Sequence, residues 1–215
     1  MNQFVHVLMI MSSLSGILSL HDAFHTETMA FPSINPKQLE LGVIEESSVK
    51  TYFRSYYQPI LYGGMKLVLQ APSVEISSLT YHKYSAGDAV LMPISKWLRQ
   101  QFNIIDDFVR DNVTIPDKLL SKWPYNNFSY KRIFEGDSIY LIMDKSCRIT
   151  QDTDDGIIES SPAARPQLNE GYCSITIEFP HVYIGWHHNY HLYSTNFRIT
   201  HIHFKPKSSC SDSGL

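Results

Sequence analysis

Only one long stretch of this chain repeats its apolar side chains at three- and four-residue steps. Ile94, Trp97, Leu98, Phe102, Ile105, Phe108 and Val109 form that stripe, with Gln101 among them. The spacing predicts one amphipathic helix from about Pro93 to Arg110. Lys96, Arg99, Gln100, Asp106, Asp107 and Arg110 fall largely on its other faces. Pro93 suits the first turn of such a helix, where a missing N–H costs nothing.

Elsewhere the pattern is short and alternating, which predicts strands. The segments are Lys66–Gln70, Ser138–Met143, Cys173–Phe179, His181–Trp186, Tyr190–Tyr193 and Phe197–Phe204. Leu39, Leu41 and Val43 alternate like a strand, and Val74, Ile76 and Leu79 allow another. Tyr62-Gly-Gly-Met65 reads as a tight turn, because paired glycines supply positive φ. A second turn is expected near His187-His-Asn189. The polar run 150–171, with Pro162, Pro166 and several acids, reads as a long mobile loop.

These elements define a mainly β, α+β domain with one major helix. The expected architecture is a distorted OB-like barrel or a half-open antiparallel sheet. Residues 29–207 form the single expected domain, and 208–215 a polar tail. Residues 1–28 form an apolar extension or signal-like segment. The run from Phe4 to Leu20 has no basic residue before it, contains His6 and several Ser, and is short for a membrane span.

Composition narrows the function classes. The formal charge is −3, so the chain is no polycation, and nucleic-acid binding would need local basic clusters. Lys118, Lys122, Lys131, Arg132, Lys145 and Arg148 form one basic stretch. Arg198, Lys205 and Lys207 form another, with no acid from His181 to Lys207. Tyr serves cores and interfaces equally well, so the 13 tyrosines hint at a binding surface.

Motifs for chemistry are sparse. Cys147, Cys173 and Cys210 have no CxxC spacing, so reduced thiols in an intracellular protein are the simplest reading. No nucleophile elbow, P-loop or dinucleotide glycine motif occurs, so no catalytic residue or cofactor is expected. His187, His191, His201 and His203 are the weak alternative as metal ligands, His201 and His203 sharing a strand face. Asp152, Asp154 and Asp155 lack the full calcium-loop pattern and read as a solvated acidic loop.

Aromatic residues interleaved with cations point to single strands, since any base stacks on a flat ring and phosphates follow Lys and Arg. The expected contacts are Lys66, Tyr81, Lys83, Tyr84, Tyr130, Lys131, Arg132, Trp186 and Arg198.

Several of these pieces also resemble a family. Gly-Gly-x-Lys-Leu-Val-Leu-Gln-x-Pro at 63–72 is similar to a strand of the single-stranded-DNA-binding-like proteins of large eukaryotic DNA viruses and related mobile elements. Phe102-x-x-Ile-x-x-Phe-Val109 resembles the helix that follows it. Val182-Tyr-Ile-Gly-Trp186 and Phe197-Arg-Ile-Thr-His-Ile-His-Phe204 are similar to its closing hairpin. The likeness spans Leu39 to Lys207 in short pieces. Ala71 stands where Thr is more usual, Arg198–Thr200 where the family often has Trp, and the tail after Lys207 holds only Asp212 as an acid. The resemblance implies an OB-like barrel that coats single strands during replication.

The leading expectation is therefore non-catalytic binding of single-stranded DNA, or RNA, in viral DNA replication or recombination. It implies replication proteins as partners, no membrane, and a nuclear or replication-site location. The alternative is a secreted or host-facing viral β-sandwich that binds a protein. That alternative predicts glycans at the sequons Asn112-Val-Thr and Asn127-Phe-Ser.

Overall fold

The computed structural model describes residues 33–48, 55–84, 87–120, 128–133, 138–187 and 190–207. The apolar extension 1–28, the tail 208–215 with Cys210, and Asn127 lie outside them.

The described residues are mainly β, as the alternation predicts. The strands are β1 (Leu39–Leu41), β2 (Glu45–Glu46), β3 (Tyr56–Tyr62), β4 (Met65–Gln70), β5 (Val74–Ser78), β6 (Thr80–Tyr84) and β7 (Gly87–Pro93). After the helices come β8 (Ser129–Lys131), β9 (Ser138–Thr153), β10 (Gly156–Ser160), β11 (Asn169–Phe179), β12 (His181–His187), β13 (Tyr190–Thr195) and β14 (Arg198–Pro206). The main helix α1 runs Lys96–Asn112, followed by the short α2, Asp117–Leu120.

Strand order along the sheet is β6-β7-β9-β14-β11-β4-β3-β12-β13-β8, with β1 and β2 beside β3, β10 beside β9 and β5 beside β11. The sheet does not close, which corrects the barrel expectation. Among the described residues its end strands β6 and β8 pair only with β7 and β13. Between β7 and β8 the chain passes through the 17-residue helix α1, which spans about 25 Å. That crossing carries the chain from one end of the order to the other, so no hairpin joins the two ends. Two pairings are parallel, β9 with β14 and β13 with β8, so the sheet is mixed rather than antiparallel.

The segment 150–171 departs most from expectation. It is mostly ordered strand: β9 runs to Thr153, turns through two residues, and returns as β10 in register from Gly156↔Thr153 to Ser160↔Ile149. The two prolines that suggested a loop, Pro162 and Pro166, do lie in the non-strand stretch 161–168, whereas the polar residues before them sit on the β9–β10 pair.

The turn at Gly63 and Gly64 forms as expected, with φ of +56° and +76°. Helix α1 begins later than expected. Pro93 closes β7 instead, and Ser95 is the N-cap, its Oγ accepting from Leu98 N–H at 3.1 Å. The buried side of α1 presents Leu98, Phe102, Ile105 and Val109. Phe102 packs on Phe179 and Phe197, with ring centroids 5.8 and 5.9 Å apart. Gln101, fully buried on the same stripe, accepts the Ile34 N–H at 2.7 Å and so ties the amino-terminal segment of the domain to the helix.

The core face of the sheet carries Ile60, Leu67, Leu69, Ile149, Ile175, Ile177, Val182, Ile184, Ile199, Ile202 and Phe204. Alternation puts the intervening residues on the opposite, outer face.

Candidate functional site

That outer face runs across seven strands, β12, β3, β4, β11, β14, β9 and β10. From β12 across to β10 it presents His181 and Tyr183, Tyr57, then Lys66, Val68 and Gln70. Glu178, Thr176, Ser174 and Tyr172 follow on β11, and Arg198, His201, His203 and Lys205 on β14. Arg148, Thr150 and Asp152 on β9 and Glu159 on β10 complete it.

A bulge shapes the middle of this face. Thr176 opposes His201, but Ile177 opposes Ile199, so Thr200 is an extra residue in β14. One inserted residue shifts the alternation by one. Arg198 and His201, three positions apart, therefore both point outward. The Thr200 hydroxyl donates back to Thr176 O at 3.4 Å.

Three groups occupy the face. The first is ionic. Arg198 Nη1 lies 2.7 Å from Asp144 Oδ2, and its Nη2 donates to Glu178 Oε2 at 3.2 Å. Lys66 Nζ lies 3.4 Å from the other Glu178 oxygen, with its side chain 77% exposed. Asp144 accepts from the Ser146 hydroxyl and N–H, and these bonds, with Arg198 nearby, hold its carboxyl below the usual range.

The second group is aromatic. Tyr57 meets His181 edge-on at 4.5 Å and Tyr183 at 5.9 Å, and all three rings are half-buried. Burial, and then the charge of Arg198, lowers the pKa of His181. Burial, with Tyr57 beside it, raises that of Tyr183. Gly185 lies next to this cluster, where a Cβ would come within 2.6 Å of the Tyr183 hydroxyl.

The third group joins two histidines through one hydroxyl. Thr150 Oγ1 lies 2.8 Å from His201 Nε2 and 2.9 Å from His203 Nδ1. A hydroxyl has one proton, so with neutral rings one imidazole accepts from Thr150 and the other donates to it. Burial, then His203 and Arg148, lowers the pKa of His201. His203 Nε2 lies 3.5 Å from Asp152, and Arg148 forms a bidentate pair with Glu159 at 2.6 and 2.9 Å.

Of the residues expected from sequence, Lys66 and Arg198 lie on this face and converge on Glu178. His201 and His203 lie there as well, and Lys131 reaches the same face by register, through Ser194 to Tyr183, whereas Tyr81, Lys83 and Tyr130 do not. Tyr81 and Lys83 stand on β6, while Tyr130 and Lys131 stand on β8 at the other end of the strand order, with Arg132 just beyond. Tyr81 donates to Pro166 O at 3.1 Å, and burial pushes its hydroxyl up to about 12. Tyr130 turns inward to Asp106 and Thr195, and burial raises its pKa strongly. Lys83, Lys131 and Arg132 are exposed, but on end strands lysines also serve to block edge pairing. The side chains of Tyr84, Trp186, His187 and His191 lie outside the described ones.

The sequence reading did not single out Tyr57, Tyr183, His181, Tyr172 or Thr150, and named Arg148 only within a basic stretch. Their signal was present as the outward half of each alternating strand. It had no marker to separate it from ordinary solvent-facing positions.

Among the described residues, no group of three or more His, Cys, Asp or Glu is arranged to hold a metal ion. Cys147 and Cys173 are free and buried, and burial pushes both thiols up to about 12, so they stay protonated at neutral pH. Among the described residues, no helix is long and apolar enough to cross a membrane. Comparisons with protein-family models, curated proteins and solved structures gave no match to this chain.

Proposed function

We propose that the protein binds single-stranded nucleic acid without catalysing a reaction, in support of DNA replication or recombination, and that the outer sheet face is its binding surface. The observation that carries this reading is the placement of the Tyr57–His181–Tyr183 ring cluster beside Arg198 and Lys66 on one half-exposed sheet face. Flat rings on a sheet accept unstacked bases, and neighbouring cations accept the phosphates. Glu178 and Asp144 oppose it, because they already neutralise both cations. Binding on this face therefore requires phosphates to compete for Lys66 and Arg198, which predicts modest affinity and a shallow salt slope.

The test is anisotropy of a labelled oligonucleotide at two salt concentrations. Binding that weakens with salt, and loses about 1–3 kcal/mol for each ring removed in Tyr57→Ala and Tyr183→Ala, supports the reading. Absence of binding at low salt, or binding indifferent to both substitutions, rejects this face.

The secreted, protein-binding alternative rests on a separate observation: Asn112 and Thr114 of one sequon are both exposed at the end of α1. Mass spectrometry of the full chain from a secretory host tests it, with Asn112→Gln as control.

A further inference from the structure

The sheet protects its edges unevenly. The two end strands each carry an exposed lysine, Lys83 on β6 and Lys131 on β8. Strand β10 is also an edge, since it pairs only with β9 among the described residues. Its sequence is Gly156-Ile-Ile-Glu-Ser160, with neither lysine nor proline nor bulge. Ile157 and Ile158 are 58% and 51% exposed, one on each face of the strand. Glu159 is its one charged residue, and Arg148 holds that carboxylate in a bidentate pair. Such an edge lacks the devices that normally prevent strand addition.

We propose that β10 pairs antiparallel with β10 of a second copy of this chain, across a two-fold axis at Ile158. The hydrogen-bond alternation favours this register. The two-residue turn after Thr153 directs the backbone groups of Gly156, Ile158 and Ser160 toward β9. The N–H and C=O of Ile157 and Glu159 therefore point to the open edge. A two-fold axis at Ile158 sets Ile157 of each copy opposite Glu159 of the other, so the outward groups meet as hydrogen-bonded pairs. Ile158 meets its own copy in the closer, non-hydrogen-bonded pair, where apolar side chains touch.

Charge favours a second copy as the occupant. No like charges face each other in this register: isoleucine opposes isoleucine, isoleucine opposes a glutamate already neutralised by Arg148, and Gly156 opposes Ser160. A C2 pairing uses one patch twice and closes on itself, so it ends at a dimer. The joined sheet extends the outer face across both copies, because Ile157 and Glu159 lie on that face beside Asp152 and Thr150. This inference does not depend on what the face binds.

Sedimentation velocity of the full chain, over a roughly hundredfold concentration range, tests it. The expected result is a concentration-dependent dimer. Ile158→Lys places two ammonium groups opposite each other and returns the protein to monomer. Ile157→Pro does the same by removing an outward N–H that β9 does not use. Circular dichroism checks that both variants keep their strand content, and Lys83→Ala serves as an edge control that leaves the dimer intact. A protein monomeric throughout, or a dimer indifferent to both β10 substitutions, overturns the proposal.

Discussion

The phenol of Tyr130 donates its hydrogen bond to the carboxylate of Asp106, tying strand β8 to helix α1. Asp106 also accepts from Ile133 N–H at 3.1 Å, and the Tyr130 oxygen lies 3.1 Å from Thr195 Oγ1. This buried chain fastens the end strand of the sheet to the helix that precedes it. Tyr130→Phe removes the phenolic partner of a buried carboxylate and is expected to cost about 1–3 kcal/mol in urea unfolding. Oligonucleotide affinity should not change, because Tyr130 registers through Tyr193 with Ile184 and so lies on the core face of the sheet.

The same carboxylate sets one pH dependence. Burial raises the pKa of Asp106 above its ordinary value, more than its hydrogen bonds lower it. The folded state then keeps a proton that the unfolded chain has lost, so stability falls as pH rises through that window. Asp106→Asn is expected to remove this slope in unfolding midpoints measured at several pH values.

Histidines give the opposite sign. His181 and His201 have folded pKa values below their ordinary 6.5, chiefly from burial. Below that value the unfolded chain binds more protons than the folded one, so stability falls on acidification. Urea midpoints should drop between about pH 7.5 and about pH 5.5, and less in His201→Gln. An unaltered slope in that variant would mean that burial does not hold the His201 imidazole neutral.

Glu178 is expected to restrain the outer face. Glu178→Gln leaves Arg198 with Asp144 and releases Lys66. If phosphates bind there, oligonucleotide affinity rises and the log–log salt slope steepens by about 0.7 for each cation released. Weaker or unchanged binding in the folded variant would remove Lys66 from the interface.

Two glycines should behave differently. At Gly171 a Cβ would lie 2.4 Å from Lys205 O and 2.5 Å from the Phe204 ring, so Gly171→Ala should lose about 1–3 kcal/mol or more through overpacking. At Gly64, nothing lies within 4 Å of a Cβ, but φ is +76°. Gly64→Ala should cost roughly 1–2 kcal/mol from backbone strain alone. Thermal melts of both variants check the order.

The chain by itself determined its local elements, because side-chain periodicity and turn chemistry act over a few residues. The stripe from Leu98 to Val109 fixed the helix, the Gly63–Gly64 pair fixed the first hairpin, and alternation marked β4, β11 and β14. It misplaced the helix start, since Ser95 competes with Pro93 as a terminus and only the Leu98 hydrogen bond distinguishes them. It also misread β10, whose polar and exposed residues look like a loop until β9 pairs with them. Tertiary structure alone decided which outward side chains meet. Lys66, Glu178 and Arg198 come from three strands far apart in sequence, and Tyr57 reaches Tyr183 across a long separation. Such meetings depend on strand order and on the extra residue at Thr200. Both arise from how whole strands pack, which no local pattern encodes.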